Sequence, residues 1–365
     1  IIILYYIYCQ KCLRIRINFM YNINITIQGG DLLKKILILL IILLLITGIG
    51  GFFYVKYYDY KNGKTLNWVD QYLIIDKDLS FEDGIQLLKE KELISSTEAI
   101  RYYAKYYKLT KPIKKGYYTI NARTNLEDLL MKVQSGQSDF EKVTIPEGYT
   151  LYQIASLLEE KNLLKKEELL STKWEELKKT SIIEPSSDVI YDLEGYLYPD
   201  TYYVPLNSSK EQIINKLHGQ FLQVFNENYR NRSKELGLTV NEVVTIASLI
   251  EKEAANVEEM PRISGVIHNR LKANMLLQID ATLIYAHTAG KESFSPTNKH
   301  KTIDSKYNTY KYKEIPPGPI ASPRKEAIEA ALYPESHDFF YYVKGKDGHV
   351  FSKTYEEHLI NVNKY

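Results

Sequence analysis

The 365-residue chain has only two cysteines, no block of like charge and a formal net charge of +2. Both cysteines, Cys9 and Cys12, precede the first methionine, Met20, and Ile1–Phe19 reads as sequence upstream of the natural start. From Met20 onward there is no cysteine, which excludes a disulfide framework and thiol chemistry. The Cys9-x-x-Cys12 pair has no second pair and no βαβ context to make it a metal or redox site. Lysines and arginines are interleaved with acids, so no basic stripe marks a nucleic-acid partner. The seven histidines show no metal-ligand spacing, and G-x-S-x-G and phosphate-binding glycine loops are missing. The sequence thus points to no metal and no cofactor. What remains is 45% hydrophobic and 25% charged, a globular composition with room for two or three modules. The 32 tyrosines could stack on sugars, but an A/T-rich coding bias accounts for the same excess.

Ile36–Val55 is an uninterrupted apolar run long enough to cross a bilayer. Lys34 and Lys35 precede it, so the positive-inside rule puts residues 1–35 in the cytoplasm and everything after Val55 outside. The run is too long for a signal peptide and has no clear cleavage site. The expectation is a single-pass anchor over 36–55 followed by a stalk over 56–78.

Ser80-Phe-Glu-Asp-Gly-Ile-Gln-Leu-Leu-Lys-Glu-Lys91 and Thr150-Leu-Tyr-Gln-Ile-Ala-Ser-Leu-Leu-Glu-Glu-Lys161 align without a gap, a weak internal repeat. Each has a Ser or Thr starting an amphipathic helix that ends in a short apolar step. The strand and turn at Val143–Tyr149, then a helix and a second helical stretch over Lys165–Lys179, outline a LysM-like module. We therefore expect a first α/β module over 79–142, a LysM-like module over 143–190 and a mixed α/β domain over 191–365. The fold class is α+β behind one transmembrane helix. Leu193–Tyr202, rich in tyrosine and turn formers, is either a sugar platform or a core strand.

The chain is organised around Thr239–Ala254. Thr239 and Glu242 form a capping box, and Val240, Val243, Val244, Ala247, Ile250 and Ala254 repeat with helical spacing. Glu251 falls inside that apolar arc, whereas Glu253 points off it and Lys252 lies nearly opposite. A carboxylate on a buried stripe must be paired, protonated or facing a cleft. The ordinary explanation is a structural ion pair; the alternative is a general acid in an apolar pocket.

Downstream, Pro261 starts a helix delivering Asn269 and Arg270, followed by Leu276–Thr282, Tyr307–Tyr310 and a stiff loop over Ile315–Ile320. Ser322 and Pro323 are expected to cap a helix running to Leu332, and a hairpin over Phe339–Ser352 follows. Ser322-Pro-Arg-Lys325 matches the S-x-x-K nucleophile pattern, but it lacks a following K-T-G and its proline reads as a helix start.

This order of motifs resembles the membrane-anchored endolytic murein transglycosylases, the YceG-like or MltG-like group. The resemblance rests on Glu147-Gly148, Glu194-Gly195-Tyr196, Pro199-Asp200-Thr201 and Ala247-Ser-Leu-Ile-Glu-Lys-Glu253. It continues through Asn269-Arg270-Leu271, Gln278 with Asp280, Tyr307-Asn308-Thr309-Tyr310, Pro316-Pro317-Gly318 and His349-Val-Phe351. Ala281 and Pro319 depart from it, where Pro and Ala are usual. It implies that Glu251 is the catalytic acid/base and that Gln278, Asp280, Tyr307, Asn308, Glu253 and Tyr196 bind substrate. It implies peptidoglycan glycan strands as substrate, the cytoplasmic membrane as anchor, and penicillin-binding proteins and the wall-synthesis machinery as partners. The competing functions are a non-catalytic wall-binding or division-complex scaffold and a lysozyme-type hydrolase.

Overall fold

The computed structural model describes residues 31–61, 71–94, 96–121, 124–177 and 186–365. Cys9, Cys12, residues 62–70 of the expected stalk and the end of the Lys165–Lys179 stretch lie outside the described residues. The described chain opens with α1 (Asp31–Lys61), whose Lys34–Tyr54 portion is long and apolar enough to cross a membrane. The large apolar side chains from Ile36 to Tyr54 are exposed, so no protein core covers them. The chain splits into two compact units, divided between Phe140 and Glu141, with α1 in the first.

In the first unit, β1 (Gln71–Ile75) pairs antiparallel with β2 (Gly116–Ile120), Leu73 opposite Tyr118. Between them run α2 (Phe81–Glu90) and α3 (Thr97–Tyr107), and α4 (Leu126–Ser135) follows. Every second residue of β2 is buried, the period-two signature of a strand with one face on a core. Leu73, Ile85, Leu88, Ile100, Tyr118, Leu129 and Val133 form that core.

The second unit starts from β3 (Phe140–Thr144), then α5 (Leu151–Glu160), α6 (Lys166–Leu170) and a 3-10 turn at Trp174–Leu177. β4 (Thr201–Pro205) returns to pair with β3. The helices α7 (Lys210–Val224), α8 (Glu227–Glu235), α9 (Val240–Glu253), α10 (Met260–Lys272) and α11 (Asp280–Thr288) come next. After them are a 3-10 turn at His300–Thr302, α12 (Lys325–Leu332), the hairpin β5 (Tyr341–Lys344) and β6 (His349–Ser352), and α13 (Tyr355–Lys364). One continuous core runs from Val143 to Leu332, so the 143–190 stretch is packed into the same body as α7–α12. That is a mixed α/β architecture without a separately cored LysM-like module.

The repeat has a local physical basis. Ser80 and Thr150 each accept a hydrogen bond from the backbone three residues on, at α2 and α5. Both helices end alike: Lys91 N donates to Leu87 O at 3.0 Å and Lys161 N to Leu157 O at 3.1 Å. Glu92 and Asn162 then take a left-handed backbone, with φ of 57° and 54°. Leu93 N and Leu163 N close back on Leu88 O and Leu158 O. The aligned apolar step is thus a helix-terminating turn.

Candidate active site

The capping box forms as expected: Glu242 N donates to Thr239 Oγ1, and Thr239 N to Glu242 Oε2 at 2.7 Å. The one-sided arc does not. Every residue from Val243 to Ile250 is buried, so α9 runs through the core and is covered on all sides. Its interior polar groups are satisfied locally. Thr245 Oγ1 donates to Asn241 O, and Ser248 Oγ donates to Thr245 O and accepts from Ile320 N. At the C-terminal end the helix leaves the core, and Glu251, Lys252 and Glu253 fan out at about 100° per residue.

The Glu251 side chain is only 3% exposed and forms a bidentate ion pair with Arg324, itself 33% exposed. Arg324 Nε lies 3.0 Å from both carboxylate oxygens, Nη2 donates to Oε1 at 2.8 Å, and the backbone N donates to Oε2 at 3.0 Å. The last contact replaces a side-chain cap, because Arg324 is the N-cap of α12 and supplies none. Helix α12 therefore begins two residues later than Ser322-Pro323 suggests. Ser322 is buried and Lys325 pairs with Glu329, which leaves no Ser–Lys dyad. The other wall is the turn at Gly148, whose φ of +71° favours glycine. A Cβ there would stand 3.5 Å from Glu251 Cγ.

Glu253 occupies a different environment. It is not turned to solvent: Tyr342 OH donates to its Oε2 at 2.9 Å. Burial raises its proton affinity, the Tyr342 hydroxyl opposes that rise, and the Asp280 charge adds to it. Asp280 is exposed at the first turn of α11 and accepts from Tyr310 OH at 2.6 Å. Gln278 is exposed beside it and holds a positive φ of 51°, unusual for a residue with a side chain. Thr309 maintains that backbone, accepting from Gln278 N through its carbonyl and from Ile279 N through its hydroxyl. Arg270 holds the approach from beneath: Nε donates to Phe340 O, and Nη1 to Leu276 O and Leu277 O.

The remaining expected site residues are buried. Tyr196 packs on Trp174 and Phe221 and donates to Asn241 Oδ1 at 2.6 Å, so the tyrosine-rich loop is core, and the strand begins at Thr201. Asn308 closes its own loop through Lys301 O and Ile303 O. Tyr307 stacks obliquely on Tyr285. Thr309, Arg270 and Arg324 carry more of the geometry than their sequence positions suggest. A regular hydrophobic spacing marks a face, and nothing in it marks which arginine reaches a carbonyl or a carboxylate seventy residues away.

A third carboxyl, Glu194, is fully buried. It accepts from Leu151 N at 2.8 Å and Tyr285 OH at 2.9 Å, joining α5 to α11. Burial pushes it up to about 8, with those hydrogen bonds opposing the rise. Further out, Glu259 is clasped by His349 Nδ1 at 2.8 Å, its backbone N at 3.0 Å and the backbone N of Ala255. Among the described residues no cluster of three His, Cys, Asp or Glu side chains is placed to hold a metal.

The YceG-like family model matches residues 73–364. An endolytic murein transglycosylase of Bacillus subtilis is 35% identical over 294 residues, covering 76% of this chain and 80% of that protein. One from Streptococcus pneumoniae is 33% identical over 308 residues, and the chain spans 55% of its length. A crystal structure of a putative YceG-like protein from Listeria monocytogenes shares 34% identity with a TM-score of 0.58, covering 80% of this chain and 98% of that one.

Proposed function

The chain belongs to the YceG-like family, and from that premise we propose that it is a membrane-anchored endolytic lytic transglycosylase. It cleaves the bond from N-acetylmuramic acid to N-acetylglucosamine inside nascent peptidoglycan strands, leaving 1,6-anhydromuramyl ends. Residues after α1 lie outside the cytoplasmic membrane, with the N-terminus inside. The wall-synthesis machinery, penicillin-binding proteins included, supplies the strands it cuts. The β3–α5–α6–β4 part takes the LysM-like role of holding the strand.

Glu251 is the acid/base, and the observation that carries this is its setting: a carboxylate almost sealed from water, gated by one part-exposed arginine. The chemistry needs one such group. Glu251 protonates the leaving glycosidic oxygen as the C1–O bond breaks. The muramyl C6 hydroxyl then attacks its own anomeric carbon and gives its proton back to Glu251, so no water enters the product. A hydrolase would need a second carboxyl group for water or as nucleophile. Arg324 must swing off the carboxylate before Glu251 can carry a proton, and its part-exposed side chain has room to do so. Gln278, exposed on the strained loop, and Asp280, exposed at the start of α11, contact the sugars. Tyr196, Tyr307 and Asn308 shape the walls behind them.

One observation favours Glu253 as the acid instead: burial already favours its protonated form. Muropeptide mass spectrometry after incubation with the full-length protein in detergent tests both. Anhydromuramyl products that vanish with Glu251→Gln support the assignment. Products that survive Glu251→Gln and vanish with Glu253→Gln transfer the role, and no cleavage by the unmodified chain leaves a scaffold.

A further inference from the structure

Against Lys252, at the end of α9, lies a cavity of about 110 Å³ that the reaction as described does not use. Its polar walls include Thr150 and Gln153 at the start of α5, Lys252 at the end of α9, Tyr285 in α11, and Lys291, Glu292 and Ser293 after it. The wall is built tightly. Thr150 Oγ1 donates to Gly290 O at 2.9 Å, and a Cβ on Gly290, whose φ is +76°, would meet Thr150 Cβ at 2.6 Å.

The lining has an excess of donors. Gln153 uses its Oε1 to accept from Thr150 N, and among the described residues its Nε2 has no acceptor. Lys291 Nζ also has no acceptor among them; it stands 5.9 Å over the Tyr152 ring. Lys252 Nζ has a single long contact, 3.3 Å to Gly148 O. Glu292 is the one carboxylate in the wall. Two ammonium groups and an amide donor against one acid favour an anion. The cavity is also close to the reacting centre. A Cβ built on Gly148 would lie 3.5 Å from Glu251 Cγ and 3.9 Å from Lys252 Cδ, so one turn touches both.

In a peptidoglycan strand, the muramyl ring whose C1 is cut carries a lactyl ether at C3, and the peptide stem begins there. That branch is the source of carboxylate nearest the scissile bond. Resting on the reading of Glu251 given above, we propose that the Lys252–Lys291 cavity holds a carboxylate on the lactyl branch of the muramyl residue being cut. The strand is then selected by its muramyl branch as well as by its sugar backbone.

The test is binding by full-length Glu251→Gln protein in detergent, with and without Lys252→Ala/Lys291→Ala. Three probes are used: stem-bearing muramyl oligomers, oligomers stripped to the free lactate, and chitotetraose, which has no lactyl branch. The double change should weaken binding of a muramyl probe at least about tenfold, the worth of one charge-assisted contact, and leave chitotetraose unchanged. A loss confined to stem-bearing probe assigns the carboxylate to the stem; a loss on stripped probe assigns it to the lactate. Equal binding of muramyl probes before and after, or an equal loss on chitotetraose, overturns the proposal. Lys291→Glu alone, on the open rim, repeats the comparison should the double variant unfold. If the unmodified chain makes no anhydro ends while the binding difference persists, the reaction assignment fails and the cavity assignment stands.

Discussion

Glu251 and Glu253 stand two residues apart on one helix, yet their surroundings differ in kind. Glu251 faces a guanidinium, a backbone N–H at the start of α12 and a glycine turn. Glu253 faces a tyrosine hydroxyl, a neighbouring carboxylate and a buried arginine behind it. The first wall is a bidentate guanidinium that can open, because Arg324 is part exposed. The second favours a proton, through burial and the repulsion of Asp280. A sequence motif with two glutamates therefore supplies two different chemical groups, and the helical rotation between them decides which is which.

The largest effect should come from exchanging the two carboxyls one at a time. Glu251→Gln keeps shape and removes the transferable proton, so cleavage should fall by a factor of roughly 10²–10⁴ or more. Glu253→Gln should retain most of the rate, because Gln still accepts from Tyr342. The kcat ratio of the two variants checks this, with folding monitored by circular dichroism; the reverse order would hand the chemistry to Glu253.

Glu194 sharpens the comparison as a carboxyl that forms no ion pair among the described residues, although the Lys252 charge weakly opposes its rise. Its folded value, about 8, lies above the ordinary carboxyl value of an unfolded chain. The native state thus binds the extra proton in between. The corresponding stability is fully present below about pH 4.5 and is lost as pH rises towards 8, up to about 5 kcal/mol in all. Glu194→Gln should flatten thermal stability between about pH 5 and 8. An unchanged slope would mean that another group titrates there.

Two smaller changes each break one wall. Arg324→Ala should destabilise the fold by about 1.5–3 kcal/mol, the range for a hydrogen bond to a charged group, in chemical denaturation. Arg324→Lys should recover only part of this, since an ammonium cannot reproduce the fork. Tyr342→Phe removes the donor to Glu253 and should cost about 0.5–1.5 kcal/mol while leaving Glu251 paired. If Tyr342→Phe lowers kcat more than Arg324→Ala does, the two walls have been assigned the wrong way round.

Much of the architecture was legible because it is local. The Thr239–Glu242 box, the paired Ser80 and Thr150 caps and the Lys34–Tyr54 apolar run are read from residues within a few positions of each other. The apolar arc of α9 was misleading, because Thr245 and Ser248 are small polar residues that bond within the helix and so let every side be buried. The tyrosines of Leu193–Tyr202 could not be sorted into core and surface, since Tyr196 finds its partner in Asn241 on another element. The same holds for Glu253, expected to point off the apolar arc, whose partner is 89 residues away. Contacts of that range leave no periodic trace.

The central claim is that the attacking oxygen comes from the sugar itself and that one carboxyl group serves both proton transfers. Digestion of peptidoglycan by the full-length protein in ¹⁸O-labelled water measures this directly. The account predicts anhydromuramyl ends with no label at the anomeric carbon. Labelled, reducing muramyl ends would contradict it and leave a hydrolase in which a second carboxylate serves water.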